Sequence, residues 1–293
     1  MLAPPSPKDA SPFAAGQVFS HYKLVRRLGR GGYGEVWEAI DHRFGRKVAV
    51  KFLLPTHKDD KAAVKRFKAE AIFSTLLTHP SIVSLMDTGQ REDGAYYHVM
   101  EYLEGKVLFA FFQEADAKKI PIGMPLAAHI AWQIAIVIAA LHARNIIHRD
   151  LKPHNLFLVQ DPLVPGGVRV KILDFGIAKL SDKEAAEALD LGHETAANAH
   201  LGTPIVMARE QWRTGEPVTE AVDVYALGCI LYKMVTGTYP FEGGVGLLQV
   251  HHELIEPTPL IKEAPSTPPA LSNLVDRMLA KKPSARPTMA EVV

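Results

Sequence analysis

Two short segments of the chain carry side chains that could act together on a phosphate group. The first runs from His148 to Asn155 and reads His-Arg-Asp-Leu-Lys-Pro-His-Asn; the second, Asp-Phe-Gly, begins at Asp174. The carboxylates of Asp150 and Asp174 and the amide oxygen of Asn155 are hard oxygen ligands of the kind that Mg²⁺ prefers. A carboxylate can also accept the proton of an attacking hydroxyl. The alternative, two aspartates in ordinary surface turns, is disfavoured because both complete segments occur together.

These segments resemble the catalytic signature of eukaryotic-like (Hanks-type) Ser/Thr protein kinases, most closely in its bacterial form. The resemblance covers roughly residues 20 to 293. It implies that Asp150 orients the substrate hydroxyl and accepts its proton, and that Lys152 neutralises the transferred phosphoryl group. It also implies that Asn155 and Asp174 hold Mg²⁺.

A glycine-rich segment precedes these motifs, with the spacing G-x-G-x-x-G at Gly29, Gly31 and Gly34. Alone this spacing is weak evidence, because glycines cluster in ordinary tight turns. A dinucleotide-binding motif would need a helix after the glycines, whereas the residues from Val36 to Ile40 read as a strand. The segment is therefore predicted to be a hairpin whose backbone can approach phosphate oxygens closely.

Lys51 stands alone in an apolar strand that reads Val-Ala-Val-Lys. A lysine in such a place could simply extend its charge to water from an edge strand, and a glutamate on a helix is usually solvated. The resemblance instead pairs Lys51 with Glu70 and with the α- and β-phosphates of ATP.

For the adenine ring, the resemblance implies a hinge at residues 101–103, with hydrogen bonds from the backbone of Glu101 and Leu103. Each apolar residue assigned to this pocket could also be a plain core residue. The side chains implied around the ring are Leu28, Val36, Ala49, Met100 as gatekeeper, and Phe157.

Three residues bear on substrate choice and control. Lys152 and Thr203, in Gly-Thr-Pro, match the pattern of kinases that act on Ser or Thr. Thr195 is the candidate regulatory site, because a phosphate there could pair with Arg149 and order the surrounding segment. The alternative for that segment is a solvated acidic stretch.

The chain departs from the family pattern at three places. Ala208-Arg209-Glu210 stands where the family has Ala-Pro-Glu, so a fixed φ angle is lost. Val206 replaces the usual Tyr, and Ser74 replaces a large apolar residue that would stack towards Phe175. The first two put peptide binding in doubt, and the third predicts a less firmly held helix around Glu70.

Composition and charge limit which binding partners and which cellular compartment are expected. The chain has 293 residues, 47% of them hydrophobic, and a net charge of +1, so no overall attraction to nucleic acid or to an anionic membrane is expected. The apolar run Ile130–Leu141 is shorter than the roughly 20 residues of a membrane span, and is predicted to be a core helix. Cys229 is the single cysteine, which suits a reducing, cytoplasmic compartment.

The patterning predicts an α+β, bilobal protein-kinase fold. Periodicities place strands at Val25–Leu28, Gly34–Ile40, Lys47–Leu53, Ile82–Gly89 and Tyr96–Tyr102, and helices at Lys61–Leu77, Leu126–Ala143, Thr219–Thr236 and Pro269–Leu279. The predicted domains are a disordered tail over residues 1–20, a β-rich lobe over 21–102 and a mostly helical lobe over 103–293.

Together these features predict a kinase that uses ATP and Mg²⁺ to phosphorylate Ser or Thr in proteins, itself included. The resemblance also implies a homodimer, in which one copy of the chain phosphorylates the other. A pseudokinase, which binds nucleotide as a scaffold without catalysis, stays open because of Arg209 and Ser74. A small-molecule kinase is disfavoured because the peptide-docking sequence Gly-Thr-Pro is present.

Overall fold

The computed structural model describes residues 11–76, 78–120, 122–174, 204–213 and 216–293. The chain divides into two compact units, one comprising Met1–Leu76 and Val83–Leu103, the other Leu77–Ile82 and Glu104–Val293. Phe175, Thr195 and Thr203, to which the sequence assigned roles, lie outside the described residues.

The first unit is built on a six-stranded antiparallel sheet in the order β1-β2-β3-β4-β6-β5. Its strands are β1 Val18–Phe19, β2 Tyr22–Arg30, β3 Gly34–Asp41, β4 Arg46–Leu53, β5 Leu85–Gln90 and β6 Tyr96–Glu101, and helix α1 spans Lys61–Leu76. The strands predicted from periodicity are therefore present with somewhat different ends. Val48, Val50 and Phe52 alternate along β4 and are fully buried, which places the core of the unit on that face.

The structure differs from the predicted tail over residues 1–20, because residues 11–20 belong to the first unit. Phe13 is 4% exposed and stacks on Phe52 with ring centroids 4.1 Å apart. Phe19, on the added strand β1, packs edge-on against the same ring. The guanidinium of Arg91 lies over the rings of Phe13, Phe19 and Phe52 at 5.2 to 5.7 Å. Burial of these rings outweighs the polar, proline-rich composition that favoured disorder.

The second unit is mostly helical and has a three-stranded sheet in the order β7-β8-β9. The strands are β7 Gly105–Val107, β8 Leu156–Gln160 and β9 Val168–Ile172; the helices are α2 Leu108–Lys118, α3 Met124–His142, α4 Ala221–Thr236, α5 Val245–Leu254, α6 Leu260–Glu263, α7 Pro269–Met278 and α8 Met289–Val292. Helices α3, α4 and α7 confirm three of the predicted helices, whereas α2 and α5 had no prediction.

Helices α3 and α4 form the centre of this unit. Fourteen consecutive residues of α4, Val222 to Val235, are buried. Among the described residues, α3 is the one helix long and apolar enough to cross a membrane by length and composition. A core helix passes the same test, and Ile130, Ile134 and Ile138 of α3 are fully buried inside the unit. The prediction of a buried core helix at this position agrees with that packing.

Candidate active site

The predicted ion pair of the first unit is present. Lys51 on β4 places its Nζ atom 2.6 Å from Oε1 of Glu70, which lies on helix α1. The two side chains are 18% and 20% exposed, so the pair is largely shielded from solvent. Partial burial strengthens the attraction between the two charges and fixes where the ammonium group lies.

The glycine-rich segment forms the turn between β2 and β3. The amide of Gly31 donates to the carbonyl of Gly34 at 2.8 Å, and Arg30 pairs with Glu35 across the hairpin. A Cβ atom on Gly34 would lie 2.6 Å from the Phe52 carbonyl oxygen, so only glycine fits there. A Cβ on Gly29 would meet no protein atom within 4 Å, so the backbone there is open to a ligand.

Most of the side chains implied around adenine belong to the first unit. Ala49 on β4 pairs with Met100 on β6, and Val36 lies on the neighbouring strand β3. The amide of Glu101 donates to the Ser84 carbonyl at 3.0 Å. Leu28 is 41% exposed, which leaves apolar surface at the hairpin. Leu103 is the last residue of this unit, and Phe157 lies on β8 of the second unit.

The catalytic segment of the second unit brings two predicted side chains to the carboxylate of Asp150. Lys152 places Nζ 2.7 Å from Oδ2 of Asp150. The amide nitrogen of Asn155 donates to the same oxygen at 3.1 Å and to the Asp150 carbonyl at 3.0 Å. Because the amide nitrogen of Asn155 is used in this way, its Oδ1 atom is the one that would bind a metal.

The loop that carries Asp150 is held by a buried aspartate. Asp223 on α4 is 1% exposed and accepts hydrogen bonds from the amides of His148 and Arg149 at 2.8 and 2.9 Å. His142 donates to the same carboxylate from Nε2 at 2.8 Å. Arg149 has a φ of 61°, an unfavourable angle for a residue with a side chain. The bonds to Asp223 stabilise this backbone conformation.

The donor set suits Mg²⁺. The amide of Leu173 donates to the Asn155 carbonyl at 2.9 Å, which brings Asp174, the next residue, to the same end of the catalytic segment. Among the described residues no group of three or more His, Cys, Asp or Glu side chains could hold a metal ion. One amide oxygen and one carboxylate fit a magnesium ion that takes its remaining ligands from phosphates and water.

The altered Ala-Arg-Glu segment forms a buried ion pair with a distant arginine. Arg286 binds Glu210 through two contacts, at 2.6 and 3.1 Å. Arg209 begins a short 3₁₀ helix, Arg209–Gln211, and its Nε atom is buried without a hydrogen-bond partner. Val206 is 4% exposed and lies in the core. Ser74 donates from its hydroxyl to the Ala71 carbonyl at 2.8 Å, within α1.

Three contacts of the site had no signal in the sequence. His142 supports Asp223, and Gln211 donates to the Arg149 carbonyl at 3.1 Å. Phe109 on α2 stacks on His154 with ring centroids 4.0 Å apart. Burial, with a smaller effect of the Lys152 charge, lowers the pKa of His154 and favours a neutral ring. These contacts join residues far apart in sequence, and neither periodicity nor motif spacing reports such pairs.

The family model of the protein kinase domain matches residues 22–293. This chain belongs to the protein kinase domain family. The match spans both units of the kinase domain and confirms the predicted resemblance.

Within this family, the chain is similar to curated serine/threonine-protein kinases from bacteria. The kinase domain is 34% identical over 287 residues to the serine/threonine-protein kinase pkn3 of Myxococcus xanthus, covering 97% of this chain and 50% of that protein. It is 39% identical over 270 residues to Pkn1 of the same organism, covering 90% of this chain and 36% of that one. It is 35% identical over 276 residues to PrkC of Bacillus subtilis, covering 94% of this chain and 40% of that one. The chain thus spans half or less of the length of these relatives.

Solved structures agree on the fold. The kinase domain of Mycobacterium tuberculosis PknI superimposes with a TM-score of 0.70 at 24% sequence identity, covering 96% of both chains. At that identity the likeness concerns the fold alone. It confirms the predicted bilobal kinase fold, with a β-rich part and a helical part.

Proposed function

We propose that this kinase domain transfers the γ-phosphoryl group of ATP to Ser or Thr hydroxyls of proteins, itself included. The observation that carries the proposal is the cluster in which Lys152 and Asn155 converge on the Asp150 carboxylate at 2.7 and 3.1 Å. A base, a cation and a metal ligand beside one another suit phosphoryl transfer, which depends on positioning and opposing charge.

The first unit supplies groups for the nucleotide. Lys51, oriented by Glu70 at 2.6 Å, would pair with the α- and β-phosphates. The hairpin turn at Gly31, whose backbone faces open space at Gly29, would lie over phosphate oxygens. Glu101 and Leu103 would bind the purine edge, and the apolar residues named above would contact the ring.

The second unit supplies groups for the transfer. Asn155 and Asp174 would hold Mg²⁺, which when bound offsets negative charge on the phosphates. Asp150 would orient the acceptor hydroxyl and take its proton, while Lys152 would offset charge on the transferred group. The bond between the γ-phosphorus and the bridging oxygen of ATP breaks as the bond to the hydroxyl oxygen forms, and ADP leaves.

The substrates would be proteins with a Ser or Thr acceptor, and the domain would act in the cytoplasm. Homodimers would allow one copy to phosphorylate another, with Thr195 as the regulatory acceptor and Arg149 as its charge partner.

Intact-mass spectrometry tests the central proposal. Wild type, Asp150→Asn and Lys51→Met are each dephosphorylated and incubated with Mg-ATP. Wild type should gain phosphate, and each variant should lose at least about a hundredfold in rate, because transition-state stabilisation is removed.

Two results would contradict the proposal, one in favour of a pseudokinase and one against the assigned catalytic cluster. If wild type gains no phosphate and leaves casein unmodified, yet binds a fluorescent ATP analogue, the chain is a pseudokinase. If Asp150→Asn is phosphorylated as fast as wild type, the assigned catalytic cluster is wrong. Mapping the phosphate to Thr195 would support the regulatory role of that residue.

A further inference from the structure

A cavity of about 260 Å³ lies within the second unit, outside the cluster around Asp150. Its walls come from α2, from the residues after α2, and from the C-terminal end of α4. The lining residues are Phe112, Ala115, Asp116, Lys119, Ile120, Ile122, Lys233, Thr236, Gly237 and Thr238.

A buried cation lies at this cavity. The side chain of Lys233 is 8% exposed, and its Nζ atom lies 2.7 and 3.0 Å from the two carboxylate oxygens of Asp116. It also donates to the Gly237 carbonyl. The rings of Phe112 and Tyr239 lie 5.9 and 5.6 Å from Nζ. Lys233 is therefore held in place among aromatic and carbonyl groups.

Its carboxylate partner is much less confined. The Asp116 side chain is 52% exposed, so it can rotate into water at little cost. The Lys233 side chain is 8% exposed and is enclosed by the protein. Lys119 contributes a second lysine to the lining and ends α2 in a left-handed conformation with a φ of 53°. Two lysines and one aspartate give the lining a net charge of +1. The apolar walls and this charge suit a short side chain that ends in a carboxylate.

Helix α2 connects the cavity with the catalytic segment. Phe109, in its first turn, stacks on His154, the residue before Asn155. Asp116 lies seven residues further along the helix, which is about 10 Å at 1.5 Å per residue. An extended peptide covers that distance in about three residues. His154 adjoins Asn155, whose side-chain nitrogen lies 3.1 Å from the Asp150 carboxylate. A peptide that follows α2 from an acceptor at Asp150 would therefore place a residue about three to five positions away at the cavity.

We propose that Lys233 selects protein substrates with Asp or Glu about three to five residues from the phosphorylated Ser or Thr. The inference rests on the proposed function and names its substrate class. The acidic side chain enters the cavity, binds Nζ of Lys233, and displaces Asp116 towards solvent. Lys119 adds to the attraction for the incoming carboxylate.

Peptide kinetics test the proposal. Each peptide contains one Ser, and paired peptides carry Asp or Lys at one position three to five residues on either side. Wild type should show a kcat/KM ratio of about ten in favour of Asp at one of these positions, as expected for a shielded charge-assisted hydrogen bond.

Variants assign the preference to Lys233. Lys233→Met keeps the apolar stem and should bring the ratio close to one. Asp116→Asn removes the competing carboxylate and should increase the ratio. Lys118→Met is the matched control, because Lys118 is exposed on the same helix and does not line the cavity. It should leave the ratio unchanged. An unchanged ratio in Lys233→Met, or a wild-type ratio near one, overturns the proposal.

A binding measurement keeps the test independent of catalysis. Fluorescence anisotropy with labelled Asp and Lys peptides is carried out on Asp150→Asn and on Asp150→Asn/Lys233→Met. About tenfold tighter binding of the Asp peptide, lost in the double variant, supports selection by Lys233 even if wild type transfers no phosphate. A wild type that transfers no phosphate would contradict the proposed function, but the binding preference would still support selection by Lys233. If Lys233→Met fails to fold, Lys119→Glu decides in its place, and an unchanged Asp preference there counts against the cavity.

Discussion

Arg286 and Glu210, 76 positions apart, form a two-point ion pair with contacts of 2.6 and 3.1 Å and side chains at most 1% exposed. Arg286 also donates to the carbonyls of Ala221, Lys281 and Ala280. The guanidinium thus links the Ala-Arg-Glu segment to α4 and to the residues after α7. Such a pair is costly to break, because either partner alone is a buried charge.

We expect Glu210→Gln to lower the free energy of unfolding by about 3 to 5 kcal/mol, because it leaves the Arg286 charge buried without its counterion. Arg286→Met should cost at least as much, since three backbone carbonyls also lose their donor. Urea unfolding followed by circular dichroism measures both values. A loss below about 1 kcal/mol in Glu210→Gln would show that the pair is not needed for stability.

Arg209 occupies the position where the family has proline, and its backbone is suited to that residue. It is the first residue of a 3₁₀ helix, and Ala208 before it is extended, with a φ of −70° and a ψ of 151°. Both conformations are compatible with proline. We expect Arg209→Pro to raise the free energy of unfolding by about 0.4 to 1 kcal/mol, because the unfolded chain loses freedom.

Arg209→Ala is the control for that variant, since it removes the same side chain without fixing φ. Thermal unfolding of both should show the gain only for proline. Equal stability of the two variants would indicate that the lost side chain, with its unpaired Nε atom, accounts for the change.

Phe13 precedes the β-rich lobe predicted over residues 21–102, yet we expect its side chain to stabilise the first unit. We expect Phe13→Ala to lower the free energy of unfolding by about 3 kcal/mol, because the variant leaves a cavity against Phe52 and Arg91. Phe44→Ala is the matched control, since Phe44 is 66% exposed. Urea midpoints that fall equally in both variants would contradict the role given to the segment around Phe13.

His252 makes the stability of the second unit depend on pH. It is fully buried, and its Nδ1 atom lies 2.8 Å from the Tyr225 hydroxyl. Burial, with smaller effects of the charges of Lys281 and His251, lowers the pKa of His252 to about 3. In the unfolded chain the ring takes up a proton near pH 6.5. Stability due to the neutral ring is therefore present above pH 6.5 and is lost as the pH falls below it.

We expect this histidine alone to reduce the free energy of unfolding by about 1.4 kcal/mol per pH unit below pH 6. His252→Gln, which keeps an acceptor for Tyr225, should remove that slope between pH 6 and 4.5. His42→Gln is the control, because His42 is exposed. If wild type and His252→Gln lose stability in parallel over this range, the ring is protonated in the folded state.

Local chemistry explains what could be predicted from the sequence. The catalytic segment, the Asp-Phe-Gly motif and the glycine spacing are contiguous, and transferring a phosphoryl group restricts which residues can occupy them. Strands such as Arg46–Leu53 and helices such as α3 show their own periodicity. The family and the α+β class therefore followed from short stretches of chain, and the resemblance to that family implied the Lys51–Glu70 pair.

Long-range packing decided the rest. Phe13 is buried because it packs against the Phe52 ring of β4 and the Arg91 guanidinium, which no local pattern reports. Lys233 reads as an ordinary charged residue on an apolar helix, yet the fold buries it beside a residue 117 positions earlier, Asp116. Burial and opposing charge depend on which distant segments meet, and the free energy of that packing belongs to the whole unit. The sequence by itself determined the chemistry, and the tertiary structure determined which other side chains act on it.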